Sequence, residues 1–231
     1  NFTMNEVKNK FSVGVIGAGI QGVCISLNLI KKGFKVTLID RDEPGNSASY
    51  GNAGHFSPYA SVPVNRPDIL IDVPSMLISS KGPLALKWNY VHKMIPWFIK
   101  FIKNCSKKNM MHTAKYMHQI LDLALPAYDE LFKDIDVSNL VESKGILYFW
   151  TDKDLKSREL EIKIRKELGI EQKLLTSHEI HDLEPHIRKI YHSGVFYPSG
   201  KHTRNPKKVL IKLFELFLKK GGNFKKENVE N

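Results

Sequence analysis

Three glycines, Gly17, Gly19 and Gly22, stand at the spacing GxGxxG. The apolar run FSVGVI leads into them and the helix-like run QGVCISLNLIKK starts between them. No other stretch restricts the fold as much. A run with almost no polar position reads as a strand buried on both faces, as a central parallel strand requires. Gly17 permits the tight turn out of that strand. Gly19 leaves bare backbone for a pyrophosphate, and Gly22 lets the helix lie close on the sheet. The helix is predicted over about residues 20–32, with Gly33 as its C′ stop, so its free N-terminal amides face the phosphates. A second strand, FKVTLID, ends on Asp40, 18 positions after Gly22. A carboxylate there accepts hydrogen bonds from the hydroxyls of an adenosine ribose. The unit reads as β-α-β and predicts an α/β fold with a dinucleotide site.

Lys8 and Lys10 ahead of an apolar run imitate a secretion signal. Against that reading, Lys31, Lys32 and Gly33 interrupt the run, and no small-x-small cleavage pattern follows cleanly. Gln21, Ser26 and Asn28 are too polar for a membrane span. The two cysteines, Cys24 and Cys105, have no CxxC partner, so no redox or zinc motif is visible and a reducing, cytoplasmic setting fits. Cys24 sits in an apolar pattern and reads as core. None of the nine histidines shows the i, i+4 spacing with an interposed Glu, so no metal site is expected. The net charge of +11 allows a Lys-rich surface, an acidic membrane surface or nucleic acid. There is no RNP motif, recognition-helix pattern or zinc finger, so no nucleic-acid partner is expected. A chain that opens on Asn1 and stops in the strand-like run NFKKENVEN reads as the N-terminal part of a longer protein.

The fingerprint does not separate FAD from NAD(P). Arg41 hints at a 2′-phosphate, which Asp40 would repel, so NADP is disfavoured. The following stretch, EPGNSASYGNAGHFSPYA, is rich in Gly, Ser, Asn and Pro and reads as a loop. Such a loop can run along an extended cofactor. The chain does not then return to alternating β-α units, which counts against a NAD-dependent dehydrogenase.

Together these residues resemble the D-amino-acid oxidase (DAO) family of FAD-dependent oxidoreductases. The loop pattern Ser-x-x-Asn-Ala-Gly-x-x-Ser-Pro, here Ser49, Asn52, Ala53, Gly54, Ser57 and Pro58, is similar to that of the family's bacterial D-amino-acid dehydrogenases. KGPLALKWNY with IPWFIKF, VESKGILYFWT, and LEPHIRKIYHSGVFYPSGKHTRNPKKVL extend the resemblance over essentially the whole chain.

The resemblance implies a Rossmann-type FAD-binding domain interleaved with an α+β substrate domain that carries an antiparallel sheet. Residues 1–80 would be the first part of the FAD domain, 81–200 the first part of the substrate domain, and 201–231 a returning helix and strand. The implied cofactor is FAD. Its binding set is Gly17, Ala18, Gly19, Ile20, Gly22, Asp40, Arg41, Ser49, Asn52, Ala53 and Gly54. The implied reaction is oxidative deamination of a D-amino acid, with relatives acting on glycine, sarcosine or hydroxyproline as alternatives. A quinone or respiratory-chain acceptor and peripheral contact with the inner face of a bacterial plasma membrane are implied partners. His55, His202 and Tyr148 are candidates for the ring and substrate region. The family's substrate-gripping residues lie in its second half, so no catalytic residue is assigned.

Elsewhere the chain reads as scaffold. A Pro-rich hinge covers residues 63–83. LKWNYVHKMIPWFIKFIKNC is either a helix packed on the substrate domain or one lying on a membrane, with Trp97, Phe98 and Phe101 in the lipid and Lys100 and Lys103 at the headgroups. TAKYMHQILDLALPAYDELFKDI has helical spacing from Met117 to Phe132, kinked at Pro126. GILYFWT reads as a strand. A charged helix follows with Asp152 or Asp154 near its cap and Gly169 at its end. Thr176 or Ser177 caps another. A last helix starts with Asn205 as N-cap and Pro206 at N1, and ends at Gly221.

Overall fold

The computed structural model describes residues 11–67, 69, 73, 87–151 and 156–230. In chain order the strands are β1 (Ser12–Ile16), β2 (Lys35–Asp40), β3 (His55–Phe56), β4 (Val141–Glu142), β5 (Ile146–Trp150), β6 (Lys173–Thr176), β7 (Ser193–Tyr197), β8 (Lys201–Thr203) and β9 (Asn223–Lys226). The helices are α1 (Ile20–Lys31), α2 (Val91–Lys103), α3 (Lys107–Leu121), α4 (Ala124–Phe132), α5 (Lys156–Glu167), α6 (Ser177–Leu183) and α7 (Pro206–Lys219). A 3-10 turn, Trp88–Tyr90, precedes α2. The chain forms two units. One is built from Asn1–Phe56, Pro126–Ser143 and Lys201–Asn231, the other from Ser57–Leu125 and Lys144–Gly200.

The first unit holds a parallel sheet in the order β1-β2-β9. The central strand, β2, buries Val36 and Leu38. Helix α1 turns Val23 and Leu27 inward, and α7 adds Val209, Leu210, Leu213, Leu216 and Phe217 to the same core. Both sets recur at helical spacing, and each fully buried side chain of this size contributes roughly 1.5–3 kcal/mol. The start of α7 follows its sequence: the Asn205 side chain accepts from Lys208 N at 2.9 Å and Pro206 occupies the first turn. An antiparallel sheet, β3-β8-β4, completes the unit.

Two expectations are corrected here. The β1 run predicts a buried central strand, yet β1 pairs only with β2 among the described residues, and Phe11 and Ile16 stand 60% and 69% exposed. An apolar run records what its side chains tolerate, and the neighbours decide what is covered. The helix expected to kink at Pro126 is broken instead. α3 stops at Leu121, α4 starts at Ala124, and Pro126 lies in its first turn. A proline there lacks only an N–H that has no intrahelical partner, and its ring avoids the clash with a helical carbonyl four residues back.

The second unit carries the antiparallel sheet β5-β7-β6, with β7 in the middle. Tyr59, Ile146, Val195 and Tyr197 form its core, and Met110, Ala114 and Ile164 form a satellite cluster between helices. Glu161, largely buried, is met by Arg66 at 2.9 Å and Arg165 at 3.3 Å. Of the two caps offered for α6, Thr176 is the one used. Its hydroxyl accepts from Glu179 N, while the Glu179 carboxylate accepts from Thr176 N. The caps expected at Asp152 or Asp154, and most of the 63–83 hinge, lie outside the described residues.

Candidate dinucleotide site

The turn from β1 into α1 is bare backbone. Gly17 has φ +104°, and its N–H donates to Ile39 O at 2.7 Å, tying the turn to the end of β2. A Cβ on Gly22 would lie 1.8 Å from Gly17 O, so the first turn of α1 can approach only with glycine there. Gly19 is the N-cap and supplies no side chain to the helix amides, and the first turn holds no acidic residue. The amides therefore find oxygens elsewhere. Ala18 N donates to Asp40 Oδ2 at 2.6 Å, and Ile20 N donates to Ser49 Oγ at 3.0 Å. The other Asp40 oxygen accepts from Asp42 N at 3.0 Å. Ser49 Oγ is also what a Cβ on Gly19 would meet, at 3.2 Å.

These groups line a cavity of about 220 Å³ together with Asp42, Glu43, Gly45, Asn46 and Ser47. The loop is pinned from behind, since Gly45 N donates to Ala18 O at 3.2 Å and Lys226 Nζ meets Glu43 at 2.9 Å. Chemically, the arrangement offers an anion the positive end of a helix dipole and two backbone donors. It also places a carboxylate at the end of the neighbouring strand.

The structure gathers Gly17, Gly19, Asp40 and Ser49 around this cavity, with Ala18, Ile20 and Gly22 in the turn behind them. Arg41 is not part of the lining. Its exposed guanidinium reaches Asp42 at 3.6 Å. Asn52, Ala53 and Gly54 also lie outside it. Asn52 Oδ1 accepts from Gly54 N at 2.7 Å, and Gly54, at φ +68°, backs onto β8 so closely that a Cβ would meet Thr203 O at 2.2 Å. The loop from Glu43 was expected to run along a cofactor, but Asp42, Glu43, Gly45, Asn46 and Ser47 were not named as site residues. Their proximity depends on loop closure, which has no periodic signature.

His55 and His202 are brought together as directly opposed residues of β3 and β8, with Glu142 opposite His202 on the far side. Directly opposed residues share a sheet face. His202 Nδ1 is buried and has no hydrogen-bond partner, while Arg204 meets Glu142 at 2.8 Å. Tyr148 belongs to the second unit. Its hydroxyl lies 3.4 Å from that of Tyr59, whose ring stacks on Tyr197 at 3.9 Å. Burial pushes the Tyr59 phenol above its ordinary range. Tyr59 was missed by sequence, although a large ring in a stretch of small residues marks an anchor.

Burial pushes the Cys24 thiol up to about 12, against a hydrogen bond with Tyr128 that pulls it down. The thiol is therefore neutral and unreactive at physiological pH. Away from the glycine turn, a larger open hollow of about 900 Å³ lies at the start of α7, lined by Tyr50, Arg204, Lys207 and Lys212 among others. Lys207 there bonds Asn46 and sits over the Tyr50 ring. Among the described residues, no group of three or more His, Cys, Asp or Glu could hold a metal, and no helix is long and apolar enough to cross a membrane.

Comparison with known proteins agrees with this architecture. The family model described as "DAO: FAD dependent oxidoreductase" matches residues 12–231. A D-amino-acid oxidase of Bradyrhizobium diazoefficiens is 32% identical over 197 residues, covering 84% of this chain and 47% of the relative. A D-amino acid dehydrogenase of Helicobacter pylori is 26% identical over 215 residues, covering 93% and 51%. Glycine oxidase from Bacillus cereus superposes with a TM-score of 0.53 at 17% identity, over 96% of this chain and 49% of that one, which speaks for the fold alone. The chain thus spans about half the length of the curated relatives it matches. With the interleaved α/β and antiparallel architecture and the glycine turn on one chain, the conclusion is that it belongs to the DAO family of FAD dependent oxidoreductases.

Proposed function

We propose that this chain holds the ADP portion of FAD in a flavoenzyme that oxidises the Cα–N bond of D-amino acids. The observation that carries the reading is the bare turn into α1, with Ala18 N on the Asp40 carboxylate and Ile20 N on the Ser49 hydroxyl. The FAD diphosphate would replace Ser49 Oγ on Ile20 N, and Asp40 would turn from Ala18 N to the ribose hydroxyls. The backbone of Asn52, Ala53 and Gly54 would follow the cofactor beyond the diphosphate. Both curated relatives named above are D-amino-acid enzymes, which favours that substrate class over glycine, sarcosine or hydroxyproline.

When bound, the cofactor supplies the two-electron oxidation. The chain's part is to orient the substrate and manage its proton. A substrate ammonium must lose a proton before its lone pair can assist cleavage of the Cα–H bond. His202, with its unpartnered Nδ1, and His55 opposite it are the groups proposed to take that proton. On the dehydrogenase relatives, the proposed electron acceptor is a quinone.

The test is spectroscopic. The full-length protein should show flavin absorption that bleaches anaerobically with D-alanine but not L-alanine, and a quinone should restore the colour. A colourless protein, or bleaching by the L-enantiomer, would overturn the reading.

A further inference from the structure

The loop from Glu43 to Tyr50 walls the dinucleotide cavity, yet it has little of its own to hold it. It belongs to no helix or strand, and Gly, Ser and Asn fill much of it. Three of its amides are hydrogen-bonded: Gly45 N to Ala18 O, Asn46 N to Glu43 O and Tyr50 N to Ser47 O. The rest of its support comes from the returning helix and strand. Gly45, at φ +78°, seats on α7 so closely that a Cβ would meet Leu210 Cδ2 at 3.1 Å. Lys207 stands three residues before Leu210, on the same face of α7. Its Nζ donates to Asn46 Oδ1 at 2.8 Å and lies 5.1 Å from the centre of the Tyr50 ring. One side chain thus grips the loop both before and after Ser49.

Lys226 of β9 meets Glu43 at 2.9 Å, but both side chains are more than half exposed, and such a pair contributes little. Lys207 is half-buried and has two partners, so it carries the greater share. Its place on the helix is otherwise unfavourable. It follows Pro206 in the first turn of α7, which holds no acidic residue, and a cation there meets the positive end of the helix dipole. A lysine that breaks this local rule and directs its charge to a neighbouring loop points to a role in that loop.

We propose that Lys207 is a positioning residue for the nucleotide. It holds residues 46–50 against the α1 turn and so sets how long a bound dinucleotide stays. The proposal rests on the FAD reading for its ligand. What Lys207 holds is the wall of the cavity, with Asn46, Ser47 and Ser49 in its lining, rather than the nucleotide itself. Its loss should therefore appear as faster release of the cofactor.

The experiment uses the full-length protein. FAD release is timed by flavin fluorescence after dilution, and loop opening is read by hydrogen exchange of residues 43–50 in the apoprotein. Lys207→Met should release FAD about tenfold faster, the scale of one charge-assisted hydrogen bond. Its Gly45, Asn46 and Tyr50 amides should also exchange faster. Lys207→Arg, which can still donate to Asn46 and lie over Tyr50, should restore both. Lys208→Met, which removes the neighbouring exposed charge, should match the parent. Release or loop exchange at the parent rate in Lys207→Met would overturn the proposal. So would equally fast release from Lys208→Met, which would make net charge the cause, or no rescue by Lys207→Arg. Exchange is read without flavin. A parent that binds none would remove the cofactor reading, while the exchange rates still decide whether Lys207 holds residues 46–50.

Discussion

At Gly22 there is no room for a side chain. A Cβ 1.8 Å from Gly17 O would force the first turn of α1 away from the strand it follows. Gly22→Ala should destabilise the first unit by about 1–3 kcal/mol, the usual cost of overpacking. It should also strip the flavin, because the amides of α1 move with the turn. Urea melts and the flavin-to-protein absorbance ratio check both effects; full flavin content in the variant would count against the site. Gly17, Gly19 and Gly22 were legible because their spacing encodes backbone approaching backbone. Ser49 was legible only through family resemblance. That its hydroxyl would cap Ile20 N depends on how a loop of small residues closes, which the order of residues does not encode. Arg41 stands between two lining residues, Asp40 and Asp42, and reaches the cavity only through its ion pair with Asp42.

Helices were read well as elements, and their breaks less well. Periodicity carried α7 and its Asn205 cap, because capping is local chemistry. It did not show that α3 and α4 are separate, since the apolar spacing runs on through the two-residue gap. Nor did it show that, among the described residues, β1 pairs with β2 alone, because strand order is a long-range property. Once separate, α4 is tied to α1 by charge: Glu130 accepts from Lys31 of α1 and from the adjacent Lys133. The two lysines hold the Glu130 carboxyl down from 4.5 to about 2. A depressed carboxyl stabilises the fold above its unfolded pKa, and that contribution disappears as pH falls toward the folded value. Glu130→Gln should therefore melt slightly lower than the parent at neutral pH, with the gap closing as pH approaches 2. Because the pair is exposed, the gap should also shrink in high salt. Melting curves at several pH values decide it, and a gap that widens in acid would contradict the assignment.

Across the molecule, the division into two units interleaved along the chain has no periodic signature, since residues 126–143 and 201–231 rejoin the first unit only through long-range packing. Family resemblance supplied the expectation of interleaving, and the structure supplied the segments. Ligand linkage tests the whole molecule at once. FAD held at a hundred times its Kd should stabilise the full-length apoprotein by about 2.7 kcal/mol, while NAD at equal concentration should not. Differential scanning calorimetry reads the difference, and equal shifts would argue against a flavin-selective crevice. The contacts of Ser49 and Asp40 with the α1 turn bear on how such a protein is loaded. If a diphosphate binds where it is proposed to, it enters by a swap of partners, and its affinity should report how much better it serves Ile20 N than the Ser49 hydroxyl does. Ser49→Ala, which removes that rival, should then bind FAD no more weakly than the parent.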